Sequence, residues 1–326
     1  MASFATEALR KVSLVGQHRT AVVVGGTLGI GAAIARHLAK LGCSRIVIFG
    51  RNEARGEAVL EDLHRISSKA DGFVAEFVKG ELSDSQSMRT AADNLQKAGG
   101  IDYLVMCQKG LPTGTINENA DGYDTPFAVQ AISRFTLAYL LTKRGALASG
   151  ASVISIAAQG QTLDDLSVDD LSLKGRLSTG SQTTMFLNQS KRDSCVLDAF
   201  HEELNIRYPQ YRYFHLSPGL VSSEQFDVNK FPGIMKYAVW FGQRLIGTTP
   251  DKYALLPVYL LTAAPASSER YFDSKLKPKR IGKWAADPEN REKLWKKLVS
   301  IIGENEGQVS APVEVWAQSE GGVTAG

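Results

Sequence analysis

The sequence predicts a doubly wound α/β domain, a parallel sheet with helices on both faces, followed by a helical C-terminal extension. Three observations carry this expectation. Short β-branched runs alternate with helical patterns from residue 20 to residue 217, which implies βαβ units and a parallel sheet. The first such run enters a glycine-rich turn that opens a helix, Val24-Gly25-Gly26-Thr27-Leu28-Gly29-Ile30-Gly31. The composition, 44% hydrophobic and 22% charged over 326 residues, is that of a globular chain able to bury a sizeable core.

The elements follow in order. TAVVVGG (20–26) is apolar and ends on glycine, as a strand buried on both faces does. GIGAAIARHLAKL (29–41) repeats apolar residues at helical spacing and stops at Gly42. RIVIFG (45–50) is the second strand. A helix over 53–66, a strand over 73–78, a helix over 84–97 and a strand over 101–107 continue the alternation. A helix over 123–145, a strand over 151–157, a polar segment over 158–181, a helix over 182–208 and a strand over 211–217 complete at least six parallel strands. Ligands of such sheets sit at the carboxyl ends of the strands, so functional residues are sought just after each strand. Residues 224–264 read as mostly helical, and 286–302 as a last surface helix with Pro288 near its start. One domain is therefore expected over 1–303. The tail 304–326, rich in Gly, Glu, Ser and Ala, is expected to be disordered.

A formal charge of +3, with basic residues spread along the chain, argues against a nucleic-acid partner. Cys43, Cys107 and Cys195 have no metal-ligand spacing and read as reduced thiols. The first 17 residues lack the apolar core of a secretory signal, and no stretch has the ~20 apolar residues of a membrane span. The expectation is a cytoplasmic protein with a small-molecule substrate, no metal and no membrane.

The glycine turn carries the chemistry. Gly25 permits a sharp turn, Gly29 admits close approach of a pyrophosphate, and Gly31 lets the helix pack against the sheet. The helix start then offers free N–H groups and a positive dipole end to phosphate. Thr27, Leu28 and Ile30 complete this cradle. The second strand ends Phe49-Gly50-Arg51-Asn52. An acidic residue at position 50 would bind a ribose 2′-hydroxyl. Glycine stands there, and Arg51 is suited to a 2′-phosphate, so the sequence points to NADP(H) in a Rossmann-type site.

The spacing Gly25-x3-Gly29-x-Gly31 resembles that of the short-chain dehydrogenase/reductase family, over about residues 20–265. Ile101-Asp102-Tyr103-Leu104-Val105 is similar to the family's fourth strand, and Ser217-Pro218-Gly219-Leu220-Val221 to the turn after the sixth. Asp169-Asp170-Leu171-Ser172-Leu173 followed by Asn188-Gln189-Ser190-Lys191 resembles the retinol-dehydrogenase-like branch. The resemblance implies that Glu81 and Leu82 hold adenine, that Pro218, Gly219, Val221 and Ser223 face the nicotinamide, and that Lys191 holds the ribose. Lys191 as a plain surface lysine is the other reading. Many relatives pair through the fourth and fifth helices, so the resemblance implies either a homodimer or tetramer or, equally, pairing blocked by the C-terminal extension.

The catalytic half departs from that pattern. The family's tyrosine lies four residues before Lys191, where this chain has Leu187, and leucine transfers no proton. The family's serine falls on Ala158 or Ala157, with Ser155 deeper in the strand, and its asparagine on Gln130. Met106-Cys107-Gln108-Lys109 replaces the family's Asn-Asn-Ala-Gly turn, with Lys109 either a helpful cation or a solvated one. The catalytic candidates are Lys191, Gln130 and Cys107, with Cys107 also placed to touch the cofactor. Gln159 follows the fifth strand and His215 ends the sixth, where a structural role is the blander reading. Cys107 reads equally as a small core residue, Tyr103 as core, and Asp193 and Ser194 as facing a helix or solvent. FPGIMKYAVWFGQRLIG (231–247), with Met235, Tyr237, Trp240 and Phe241, reads as a lid over a lipophilic substrate or as a packed helix. Three functions remain open. They are an NADP(H)-dependent oxidoreductase with an atypical proton relay, a non-redox isomerase, lyase or cyclase on the same scaffold, and a non-catalytic NADP-binding protein.

Overall fold

A computed structural model describes residues 2–67, 72–177, 180–222 and 248–304. Its centre is a seven-stranded, wholly parallel sheet in the order β3-β2-β1-β4-β5-β6-β7. The strands are β1 (Thr20–Val24), β2 (Arg45–Gly50), β3 (Val74–Lys79), β4 (Ile101–Met106), β5 (Leu147–Ile156), β6 (Arg212–Leu216) and β7 (Tyr271–Phe272). Strand order reverses between β1 and β4, so the crevice where such sheets bind ligands opens at their carboxyl ends.

Two apolar layers cover the sheet. One face carries α4 (Ser85–Leu95), α6 (Ser133–Lys143), α7 (Gln182–Arg207) and α10 (Pro288–Ile301). α6 follows a single helical turn, α5 (Thr125–Phe127), and a π turn, Ala128–Ile132. The other face carries α1 (Ala2–Leu9), α2 (Gly29–Lys40), α3 (Glu53–Ile66) and α8 (Pro250–Thr262). A short helix, α9 (Lys283–Ala286), buries Trp284 against the first layer. No helix among the described residues is long and apolar enough to cross a membrane.

The expected strands and helices appear in the expected order. β5 starts at Leu147, four residues before the apolar run, because Ser149 and Gly150 are exposed and break the hydrophobic pattern. β7, only two residues long, extends the sheet beyond β6 and was not anticipated. α1 was not anticipated either. It packs on α8, with Phe4 edge-on to Tyr259 at 5.4 Å. The expected lid at 231–247 and the tail from 305 onward lie outside the described residues.

Candidate functional site

The cradle has the geometry that phosphate requires. Gly25 has φ +73°, and a Cβ there would lie 2.6 Å from the backbone nitrogen of Gln108. A Cβ on Gly31 would collide with the carbonyl oxygen of Gly25. Glycine at these two positions therefore lets α2 start against the β1 turn while β4's loop presses on the same turn. No side chain caps α2, whose N-cap is the extended Leu28. Its first N–H groups are left for an anion, so the residues present fit a pyrophosphate.

The second strand explains the cofactor expectation sterically. A Cβ on Gly50 would lie 2.6 Å from the Thr27 methyl, so any side chain at this position, an acidic one included, would have to displace Thr27 from beside the cradle. Arg51 is exposed, and no hydrogen bond or ion pair engages it among the described residues. Asn52 is spent as the N-cap of α3, accepting from the Arg55 N–H at 2.9 Å. Leu82 is buried in the α4 layer and Glu81 is exposed beside it.

At the other end of the crevice, β6 leads into Ser217–Ser222. Tyr253 donates to the Ser217 carbonyl at 3.2 Å, and Thr248 pairs with Val221, with Ser222 N–H to Thr248 O at 2.9 Å. Pro218 and Gly219 are thereby fixed at the carboxyl edge, and Ser223 lies outside the described residues.

The catalytic candidates divide. Lys191 is exposed on α7, and Leu187, one turn earlier on the same helical face, is 45% exposed. Ala158, just past β5, is exposed too, whereas Ala157 is buried. Gln130 sits in the π turn and accepts from the Gly110 N–H at 3.1 Å, holding the loop after β4. Wide turns of this kind concentrate at functional sites. Cys107 packs against the α2 layer, and burial pushes its thiol up to about 12, so it stays protonated at neutral pH. Lys109 is exposed at the cleft.

Other residues build the site from below, and of these the sequence reading passed over Arg134, Arg192 and Asp198. Arg134, wholly buried, donates to the carbonyls of Gln130, Gln108 (2.6 Å) and Ile156 (3.2 Å). Arg192, also buried, pairs with Asp193 at 2.8 Å and Asp124 at 3.5 Å and lies 4.2 Å over the Phe127 ring. Burial raises the Asp193 carboxyl to about 6 against the pull of Arg192. Asp193 thus lies inside the fold. Ser194 does too, accepting from the Gln161 N–H at 3.0 Å. Asp198 accepts from His215 Nδ1 at 2.9 Å and from the N–H groups of Gly160 (2.8 Å) and Gly282 (3.1 Å), so His215 is anchored structurally. Gln159 donates to the Phe272 carbonyl at 2.6 Å. No group of three or more metal-ligating side chains occurs among the described residues.

One pH effect follows. His201 is fully buried, stacks on His215 with ring centroids 5.1 Å apart, and binds the Leu197 carbonyl through Nδ1 at 2.8 Å. Burial, reinforced by His215, holds it well below the ordinary histidine value. The unfolded chain then binds the proton first, so stability falls as pH drops below about 6.5, with a slope approaching ~1.4 kcal/mol per pH unit. Asp193 works the other way, its neutralisation favouring the fold as pH falls through about 6. Urea titrations at pH 7.5 and 5.5 should show His201→Leu losing less stability on acidification than the wild type. Equal losses would mean that His201 is protonated within the fold.

Comparison with known proteins agrees with this geometry. The family described as short chain dehydrogenase matches residues 19–162. An oxidoreductase of Emericella nidulans is 30% identical over 227 residues, 68% of this chain and 65% of that protein. Human retinol dehydrogenase 12 is 26% identical over 162 residues, 50% of each chain. Carbonyl reductase (NADPH) 1 of Macaca fascicularis is 38% identical over 114 residues, 35% of this chain and 37% of that protein. The chain thus spans less than two thirds of the length of each of these relatives. A short-chain type dehydrogenase/reductase from Mycobacterium ulcerans superposes with a TM-score of 0.59 at 17% identity, over 87% of this chain and 99% of that one, a likeness of fold. With the uncapped glycine cradle, the seven-stranded sheet and these similarities together, the chain belongs to the short-chain dehydrogenase/reductase family.

Proposed function

We propose that this protein is an NADP(H)-dependent oxidoreductase that acts on a small, lipophilic substrate without the usual tyrosine proton relay. The observation that carries the reading is the junction of the cradle with β2, where Thr27 fills the space an acidic side chain would need and Arg51 stands exposed beside it. The relative named for NADPH supports the same cofactor. Gly25, Gly29 and Gly31 would admit the pyrophosphate, Arg51 the 2′-phosphate and Lys191 the nicotinamide ribose. The bound cofactor supplies or accepts hydride.

Leu187 and Ala158 are both exposed, at the positions where the family resemblance places hydroxyls. A cleft bordered by them would suit a lipophilic substrate and would offer no side-chain acid at position 187. Reductions that leave no alkoxide, such as those of activated alkenes or iminium ions, make the smallest demand on such a site, with the proton coming from water.

Calorimetric titration with NADPH and NADH tests the reading. Micromolar NADPH binding is expected, and Arg51→Ala should weaken it roughly 10- to 100-fold while leaving NADH unchanged, since a charge-assisted pair is worth about 1.5–3 kcal/mol. Failure to bind either nucleotide would overturn the proposal. Substrate turnover with no change in NADPH absorbance would point instead to non-redox chemistry on the same scaffold.

A further inference from the structure

We infer that Arg134 is the positioning residue of this site, a buried cation that holds in register the three backbone segments presenting the reacting groups; the inference rests on the oxidoreductase reading above. Its guanidinium reaches the π turn at the Gln130 carbonyl, the turn after β4 at the Gln108 carbonyl and the last residue of β5 at the Ile156 carbonyl. These segments carry the Gln130 side chain, Cys107 and Lys109, and Ala157 and Ala158.

Arg134 is 1% exposed and makes no salt bridge among the described residues, with the Asp193 carboxylate acting on it from beyond pairing distance. A buried cation with no carboxylate in direct contact is expensive, and a helix packed on all sides, as α6 is, has no structural need of one. Only a planar fork of five donors meets three carbonyls arriving from three directions. An aliphatic side chain would leave all three without this donor.

Neighbouring bonds stiffen the same junction. Gln108 Nε2 donates to Ser133 Oγ at 3.0 Å, and Ser133 donates to the Val129 carbonyl at 2.7 Å. The Gly110 N–H reaches Gln130 Oε1 from the same loop. The brace also bears on the phosphate cradle, because the Gln108 backbone nitrogen fills the space beside Gly25. A shift of Gln108 would therefore be felt at both the cradle and the β4 turn. Displacements near 1 Å in such frameworks cost about 10² in rate.

Arg134→Met and Arg134→Lys in the full chain test this. Hydrogen–deuterium exchange of the nucleotide-free protein is read first at residues 107–112, 126–132 and 157–163. Arg134→Met should raise exchange at all three by about tenfold or more while β1, β2 and β3 stay protected, and Arg134→Lys should give a smaller rise, since an ammonium reaches fewer carbonyls. NADPH affinity should weaken by up to about tenfold, through the shift of Gln108 beside Gly25, and kcat should fall about 10²-fold. Unchanged exchange at those segments, or a rise spread evenly through the sheet, would overturn the inference. If the wild type oxidises NADPH with none of the substrates offered, the oxidoreductase reading fails, and the exchange pattern still decides the role of Arg134. If Arg134→Met yields no folded protein, Arg134→Lys decides by the same pattern.

Discussion

Leu187→Tyr combined with Ala158→Ser is expected to raise NADPH-driven reduction of medium-chain aldehydes by roughly 10²-fold or more, since a positioned general acid typically contributes 10²–10⁴. The helix already presents the surroundings. Lys191 lies one turn beyond Leu187 on the same exposed face, so a phenol at 187 would stand beside an ammonium that lowers its pKa. Ala158 is exposed immediately after β5, where a hydroxyl would hydrogen-bond the carbonyl being reduced. The loop that follows is fixed on α7 through the Gln161 N–H to Ser194 Oγ at 3.0 Å and the Leu163 N–H to Cys195 Sγ at 3.2 Å, so the new groups would enter a built frame. Both replaced side chains are exposed, and the cost in stability should be within about 1 kcal/mol. Steady-state NADPH oxidation against aldehyde concentration measures the effect. No gain at unchanged NADPH affinity would show that this face of α7 does not border the reacting carbon.

The sheet was legible because its inner strands are buried on both faces. Ala21, Val22, Val23 and Val24 are all at 0% exposure, and a strand of that kind writes itself as an unbroken β-branched run. The cradle was legible because its glycines answer backbone collisions that no other residue survives. The exclusion of an acidic residue at position 50 was legible as a fact, but its cause, the Thr27 methyl, is a contact between two loops and needs coordinates. The buried polar framework was missed for a related reason. Arg134 and Asp198 each look like ordinary polar positions on helices. The available signal was the company they keep. In Ser133–Lys143 every residue before Lys143 is buried, and in α7 the run from Arg192 to His201 is buried without interruption. A charged residue within such a run has no solvent face to turn to, and reading the helix as amphipathic conceals that.

The same framework sets the largest expected loss of stability. Asp198→Ala should destabilise the fold by about 3–5 kcal/mol, the cost of stripping one partner from a buried, charge-assisted cluster. Asp198 is fully buried and divides its two oxygens between elements far apart in sequence. Oδ1 binds His215 at the end of β6, and Oδ2 takes the N–H of Gly160 after β5 and of Gly282 before α9. Alanine leaves two backbone donors and a histidine nitrogen with no water to turn to. Asp198→Asn keeps one oxygen and is expected to lose about half as much, because that oxygen can serve the two glycine N–H groups while the amide meets His215 only after a change of its tautomer. Thermal unfolding should place Asp198→Ala roughly 6–10 °C below the wild type, at about 2 °C per kcal/mol for a chain of this size. The melting of the Gly160 turn would go first, since its N–H bond to Asp198 and those of Gln161 and Leu163 to α7 tie the end of β5 to the helix that carries Lys191. Activity should therefore decline at temperatures where the sheet is still folded. If activity and the sheet instead fail together in Asp198→Ala, the carboxylate supports the whole layer beneath α7 and not the loop alone.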